Sequence, residues 1–187
     1  VILQTSHYLV ENLRTARRFM SSLQCSDRID ASNFEVLDKH TLQADLVRLM
    51  QPVLNGYDIG LMSEAGLPGI ADPGAAAVSF AHKNGVQVVP LPGASSIFMT
   101  LMASGFNGQS FSFHGYVPIE MDKRIAFLKK LETEVYRSGT SQVFMETPYR
   151  NVKLFETMLQ CLKPDTFLCI GANITGSDEF INTNSVK

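Results

Sequence analysis

Ser63-Glu64-Ala65-Gly66-Leu67-Pro68-Gly69-Ile70-Ala71-Asp72-Pro73-Gly74 is the stretch whose reading decides the fold. It is entered from the apolar run Ile59 to Met62 and leads into a helix-like run over about Ala75 to Lys83, which Asn84-Gly85 stops. A second loop, Pro90-Leu91-Pro92-Gly93-Ala94-Ser95-Ser96, lies between the β-branched run Val86 to Leu91 and a helix over Ser95 to Ala103 closed by Gly105. Strand, loop and helix repeated at this spacing predict a right-handed parallel α/β unit. Both loops are then expected at the carboxyl ends of neighbouring parallel strands, where open α/β sheets bind ligands. Their glycines and prolines make sharp turns and let a ligand approach bare backbone.

Toward the amino end, a helix fits Asn12 to Leu23, with Leu13, Ala16, Met20 and Leu23 on one face and Arg14, Arg17 and Arg18 on the other. A short strand over Phe34 to Leu37 and one amphipathic helix over Leu42 to Val53 follow, ended by Asn55-Gly56. Toward the carboxyl end the pattern predicts strands at Ser110 to Tyr116, Gln142 to Glu146 and Phe167 to Ala172, with helices at Lys123 to Val135 and Val152 to Cys161. Asn107-Gly108 reads as a linker, giving an N-terminal α/β domain over 1–106 and a C-terminal α/β domain over 107–187. The chain opens in mid-element without Met and closes on the alternating run Glu179 to Thr183, the pattern expected of a fragment.

Composition bounds the function. Of 187 residues 45% are hydrophobic and 18% charged, which is a globular balance. The net charge of −2 gives no global attraction to nucleic acid, so RNA contact has to come from a local basic patch, and DNA binding is not expected. Cys25, Cys161 and Cys169 are scattered, with no spacing for a disulfide framework or a zinc site, and are expected as free, mostly buried thiols; no metal is expected. No apolar run reaches the roughly 18 residues of a membrane span, and Val1-Ile2-Leu3 is too brief for a signal peptide, so a cytoplasmic protein is expected. The nucleotide-binding glycine motifs and the Gly-x-Ser-x-Gly elbow are missing, which weakens NTP, NAD and serine-hydrolase readings.

What the two loops offer is a Gly/Pro-lined cleft suited to holding two substrates in position. Glu64 and Asp72 can accept ribose hydroxyls or an ammonium group. Asp72 can instead be an Asx-turn or a helix cap. Ser95 and Ser96 stand at a helix start, where free backbone N–H groups can hold a carboxylate, while Ser95 can also be a plain N-cap.

Taken with Ala103-Ser104-Gly105-Phe106 and Phe113-His114-Gly115-Tyr116-Val117-Pro118, these loops resemble the tetrapyrrole methylase superfamily. Within it the chain looks most like the ribosomal RNA small subunit methyltransferase I group, which methylates a ribose 2′-hydroxyl of 16S rRNA. Further matches are Val10-Glu11-Asn12-Leu13-Arg14-Thr15 to a Glu-Asp-Thr-Arg element, Phe144-Met145-Glu146-Thr147-Pro148-Tyr149-Arg150 to a Glu-x-x-x-Arg element, and Ala172-Asn173-Ile174-Thr175 to an Ala-Arg-Glu-Leu-Thr segment. The chain departs from the group at Asn12-Leu13, at Asn173, and at Asp38-Lys39-His40-Thr41, where the group shows His-x-His-Asn.

The resemblance implies two α/β domains, the first with a mostly parallel sheet and the second with a mixed one. It also implies S-adenosylmethionine in the cleft between them, a homodimer, and a first strand and C-terminal end that this chain lacks. Carried over by position, the cofactor surround is Ser63, Glu64, Ala65, Gly66, Asp72, Pro73, Ser95 and Ser96 with Glu146, Ala172 and Asn173. The implied reaction moves the cofactor's methyl group onto an oxygen of ribosomal RNA. Glu11, His40 and Glu146 are the candidate bases for the hydroxyl proton, although Glu146 can pair with Arg150 and His40 can be a surface loop residue. Arg14, Arg17, Arg18 and Arg150 are the candidate RNA contacts. The alternatives are methylation of a tetrapyrrole or other small molecule, and a cofactor-binding regulatory or assembly protein without turnover.

Overall fold

The computed structural model describes Ile2 and Gln4–Lys187; Val1 and Leu3 of the short apolar start lie outside the described residues. The chain divides into two compact units, the first ending at Ala94 and the second running Ser95–Lys187.

The first unit is built on β1 (His7–Val10) and contains α1 (Leu13–Ser22), α2 (Ser26–Asp30), β2 (Asn33–Val36), α3 (Gln43–Leu49), α4 (Gln51–Leu54), β3 (Ile59–Met62) and α5 (Gly74–Lys83). All three strands are parallel in the order β2-β1-β3, with His7 opposite Asn33 and Ile59 and Val10 opposite Val36 and Met62. The sequence reading assigns no strand at His7–Val10, yet this is the central one. Tyr8, Leu9 and Val10 are all buried, as the middle strand of a doubly covered parallel sheet requires. Alternation sends Leu9 to a core with Leu37, Leu46, Leu49, Met50, Ala77 and Ala81, while Tyr8 and Val10 face a second core with Ala16 and Met20.

Three local expectations change. On α1, Ala16 and Met20 bury but Leu13 and Leu23 at the ends stay exposed, so the apolar stripe is narrower than its sequence spacing. The single helix expected over Leu42 to Val53 is two, divided at Met50 with Pro52 in the first turn of α4. A proline there has no N–H to give and crowds the preceding turn. The expected strand Val86 to Leu91 joins no ladder. Val86 and Val88 still pack on the Leu9 core with the alternation of a strand, but Pro90 and Pro92 cannot donate ladder bonds.

The second unit holds α6 (Ser96–Ser104), β4 (Phe111–Tyr116), α7 (Met121–Ser138), β5 (Ser141–Met145), α8 (Asn151–Cys161), β6 (Phe167–Ala172) and β7 (Phe180–Ser185). Strands β4 and β5 pair in parallel across α7, and β6 and β7 pair antiparallel. Val117, Leu128, Leu154 and Met158 form the core where α7 meets α8. Helix α6 lies close on β6 and β7: a Cβ at Gly171 would strike Thr100, and the Thr183 hydroxyl donates to the Ser104 carbonyl at 3.0 Å. It ends at Gly105 in the left-handed region, φ +75°, which glycine adopts without strain. Asn107, read from sequence as a linker, organises a turn inside this unit, accepting from Gln109 and Ser110 N–H and donating to the Gly139 carbonyl.

All three cysteines are free and half-buried rather than mostly buried. Burial pushes the Cys161 thiol above its ordinary value. No helix among the described residues is long and apolar enough to cross a membrane.

Candidate functional site

Because β1, β2 and β3 are parallel, their carboxyl ends share one edge, and the three following segments bring Glu11, Asp38 to Thr41 and Ser63 to Gly74 to it. Backbone bonds continue the sheet one step further: Glu11 N–H donates to the Met62 carbonyl at 3.2 Å and Leu37 N–H to the Val10 carbonyl at 3.0 Å. Two glutamates are then tied into one hydrogen-bonded chain. The Glu11 Oε2 accepts from Glu64 N–H at 3.1 Å, and the Glu64 Oε1 accepts from the Thr15 hydroxyl at 2.9 Å. Neither glutamate belongs to an ion pair among the described residues. Thr15 is placed by α1, whose start is fixed by the Asn12 side chain accepting from Arg14 and Thr15 N–H. Sequence reasoning quoted Thr15 within a motif but gave it no role; its place four residues after Glu11 was the available signal.

In the long loop, Asp72 does structural work. Its Oδ1 accepts from Gly69 N–H at 2.6 Å and Gly74 N–H at 2.8 Å, an Asx-turn that closes the loop at the start of α5. Ser63 Oγ donates to the Ala65 carbonyl at 3.1 Å. Gly66 sits at φ +71° with nothing within 4 Å of the position a Cβ would take, so its backbone faces open space. The second loop packs on the first, since a Cβ at Gly93 would lie 3.0 Å from Leu67 Cδ2. Ser95 is buried at the N-cap position of α6 without a side-chain cap bond, and Ser96 is exposed; both belong to the second unit.

Asp38 closes its own turn, accepting from His40 N–H at 2.8 Å and from the Thr41 hydroxyl at 3.2 Å. The His40 N–H bond, assisted by Thr41, holds the Asp38 carboxyl below the usual carboxylate range. His40 is exposed on that turn. Arg14, Arg17 and Arg18 are all exposed on α1, with Arg17 over the Phe34 ring at 5.8 Å.

In the second unit, the ends of β4 and β5 bring Tyr116 and Glu146 to one edge. Glu146 Oε1 accepts from Thr147 N–H at 2.7 Å and from Arg150 Nη2 at 2.5 Å, and Arg150 Nε donates to the Thr147 hydroxyl at 3.1 Å. The pair lies in the turn before α8, not within the helix. Ala172 ends β6, and Asn173, at φ +50°, donates to Asp178 at 2.7 Å. Tyr116 and Tyr149 flank Arg150; sequence reasoning gave them no role, although Tyr149 directly precedes that arginine.

No family model matches the chain. Its fold is that of the tetrapyrrole methylases: it superposes on the methyltransferase CobJ with a TM-score of 0.56 at 13% identity, covering 97% of this chain and 87% of that one. The cobalt precorrin-4 methyltransferase CbiF superposes at 0.55 and 14% identity, covering 99% and 77%. In sequence the chain is related to proteins named ribosomal RNA small subunit methyltransferase I. The one from Vibrio cholerae is 31% identical over 92% of this chain and 57% of its own length. The one from Halalkalibacterium halodurans is 36% identical over 62% of this chain and 38% of its own length. The chain thus spans about half the length of the curated relatives it matches.

Proposed function

We propose that the protein is an S-adenosylmethionine-dependent methyltransferase that O-methylates a ribose 2′-hydroxyl of small-subunit ribosomal RNA. In this reading it works in the cytoplasm as a homodimer, as the family resemblance implies. The observation that carries the proposal is the convergence of Glu11, Thr15, Ser63 and Glu64 on the carboxyl edge of one parallel sheet, in a chain whose sequence relatives bear that methyltransferase name. The open backbone at Gly66 and the Glu64 carboxylate, which belongs to no ion pair among the described residues, fit a ligand with hydroxyl or ammonium donors. Ser63, Glu64, Ala65 and Gly66 would hold the cofactor directly, and Asp72 and Pro73 would shape their loop.

When bound, the cofactor supplies a methyl group already activated on a positive sulfur. The chain's own residues then have to orient the ribose hydroxyl and take its proton. Of the three candidate bases, Glu11 fits best: it is half-buried, at the sheet edge and in no ion pair among the described residues. Glu146 is engaged by Arg150, and His40 stands on an exposed turn.

The test uses the full-length protein, methyl-labelled cofactor and small-subunit RNA. Label should enter a ribose, and Glu11→Gln should lower turnover about a hundredfold or more with cofactor affinity retained. Arg17→Ala with Arg18→Ala should flatten the slope of log affinity against log salt by about one per lost phosphate contact. Label transfer to a tetrapyrrole and to no RNA would overturn the substrate; undiminished turnover in Glu11→Gln would remove Glu11 as the base.

A further inference from the structure

Arg150 was expected as a phosphate contact, but its donors point inward. Its side chain is 20% exposed and its partner Glu146 only 7%, with Nε and Nη2 already bonded to Thr147 and Glu146. A guanidinium neutralised and pinned in this way offers a flat face rather than a bidentate fork. Two aromatic rings stand by that face: Tyr149 with its centroid 5.7 Å from Cζ and Tyr116 at 5.9 Å. Both rings are open to solvent, Tyr116 at 54% and Tyr149 at 83%. Rings held at a fixed cation while their outer faces stay wet form a stacking surface whose ordering cost has been met before any ligand arrives.

We infer that Tyr149 and Tyr116, held by Arg150, form a platform on which an unpaired base of the substrate RNA stacks. The inference rests on the RNA reading above and deepens it. Sequence-specific work on RNA needs bases splayed out of the stack, and aromatic and arginine planes are what receive them. The platform stands at the carboxyl ends of β4 and β5, the edge at which parallel strands present ligands. The exposure of Tyr149 favours a base from a long strand, because a small ligand such as the cofactor's adenine is ordinarily enclosed.

The experiment measures binding of the full-length protein to a single-stranded small-subunit RNA segment carrying a fluorescent adenine analogue, with S-adenosylhomocysteine binding measured separately by calorimetry. Tyr149→Ala should weaken RNA binding about five- to hundredfold and abolish stacking quench of the analogue. The salt slope should not change, because no phosphate contact is lost. Tyr149→Phe should restore binding, Tyr116→Ala should act in the same direction, and S-adenosylhomocysteine affinity should hold in every variant. Tyr149 is too exposed for its truncation to unfold the chain, which circular dichroism checks. Normal RNA affinity in both alanine variants overturns the platform while leaving the RNA reading standing. Loss of S-adenosylhomocysteine affinity with RNA binding intact assigns the rings to the cofactor and overturns it as well. Failure of the wild type to bind RNA removes both readings.

Discussion

Two loops, Ser63 to Gly74 in the first unit and Glu146 to Arg150 in the second, follow parallel strands and carry carboxylates, yet they treat them in opposite ways. In the first, Asp72 ties backbone N–H groups, while among the described residues the Glu64 carboxylate accepts from a hydroxyl and the Glu11 carboxylate from an amide, neither in an ion pair. In the second, Glu146 is buried against a guanidinium and a threonine. A carboxylate without a cation keeps its charge and lone pairs for a ligand, whereas one locked to arginine supports shape. The difference teaches that location at a strand end does not make a carboxylate catalytic; its partners decide.

The contrast breaks most visibly at Glu146. Glu146→Ala leaves Arg150 largely buried without its counter-charge and should cost about 3 kcal/mol or more by urea denaturation, while Glu11→Ala should change stability by about 0.5 kcal/mol or less. A cost for Glu146→Ala below about 1 kcal/mol would mean that the pair behaves as an exposed one, and the two loops would no longer differ. Next comes Asp72. Asp72→Ala strips two loop N–H groups of their acceptor and should cost about 1–3 kcal/mol, with Asp72→Asn milder because its amide oxygen still accepts. Cofactor affinity should fall with loop order in Asp72→Ala, by calorimetry on the full-length protein.

The smallest effect belongs to Asp38, a carboxylate that closes its own exposed turn. Its folded value is depressed, first by the His40 N–H bond, so its stabilisation is present above the ordinary carboxylate range and is lost as pH falls through the depressed value. Asp38→Asn should flatten the acid limb of the stability curve without changing it at neutral pH beyond the loss of the turn. An unchanged acid limb would assign that sensitivity to other carboxylates.

Much of this was legible in residue order. Ile59–Met62 and Phe167–Ala172 appear as strands with the expected bounds, and Gly105 ends α6 as expected. Short apolar runs between turn residues announce themselves locally. His7–Val10 did not, because four residues carry no readable period, and only pairing with β2 on one side and β3 on the other shows them to be central. Val86 to Leu91 misled for the converse reason: its residues favour a strand, but ladder pairing depends on partners and on a donor that Pro90 lacks.

At the site, the chain order of motifs determined the superfamily fold, the sheet edge and the roster of carboxylates and arginines, since glycine, proline and charge positions are written directly into the sequence. Only the tertiary structure decided which of those groups remain free. Glu11 and Glu64 lie 53 residues apart and Thr15 and Glu64 lie 49 apart, so no local pattern reports their meeting. Glu146 and Arg150 stand four apart, a spacing that allowed a helical ion pair, but burial and the Thr147 hydroxyl turned the arginine inward and left its neighbouring tyrosines outside. Hydrogen-bond partners and desolvation are properties of the folded surroundings, and they set the chemistry that residue identity alone leaves open.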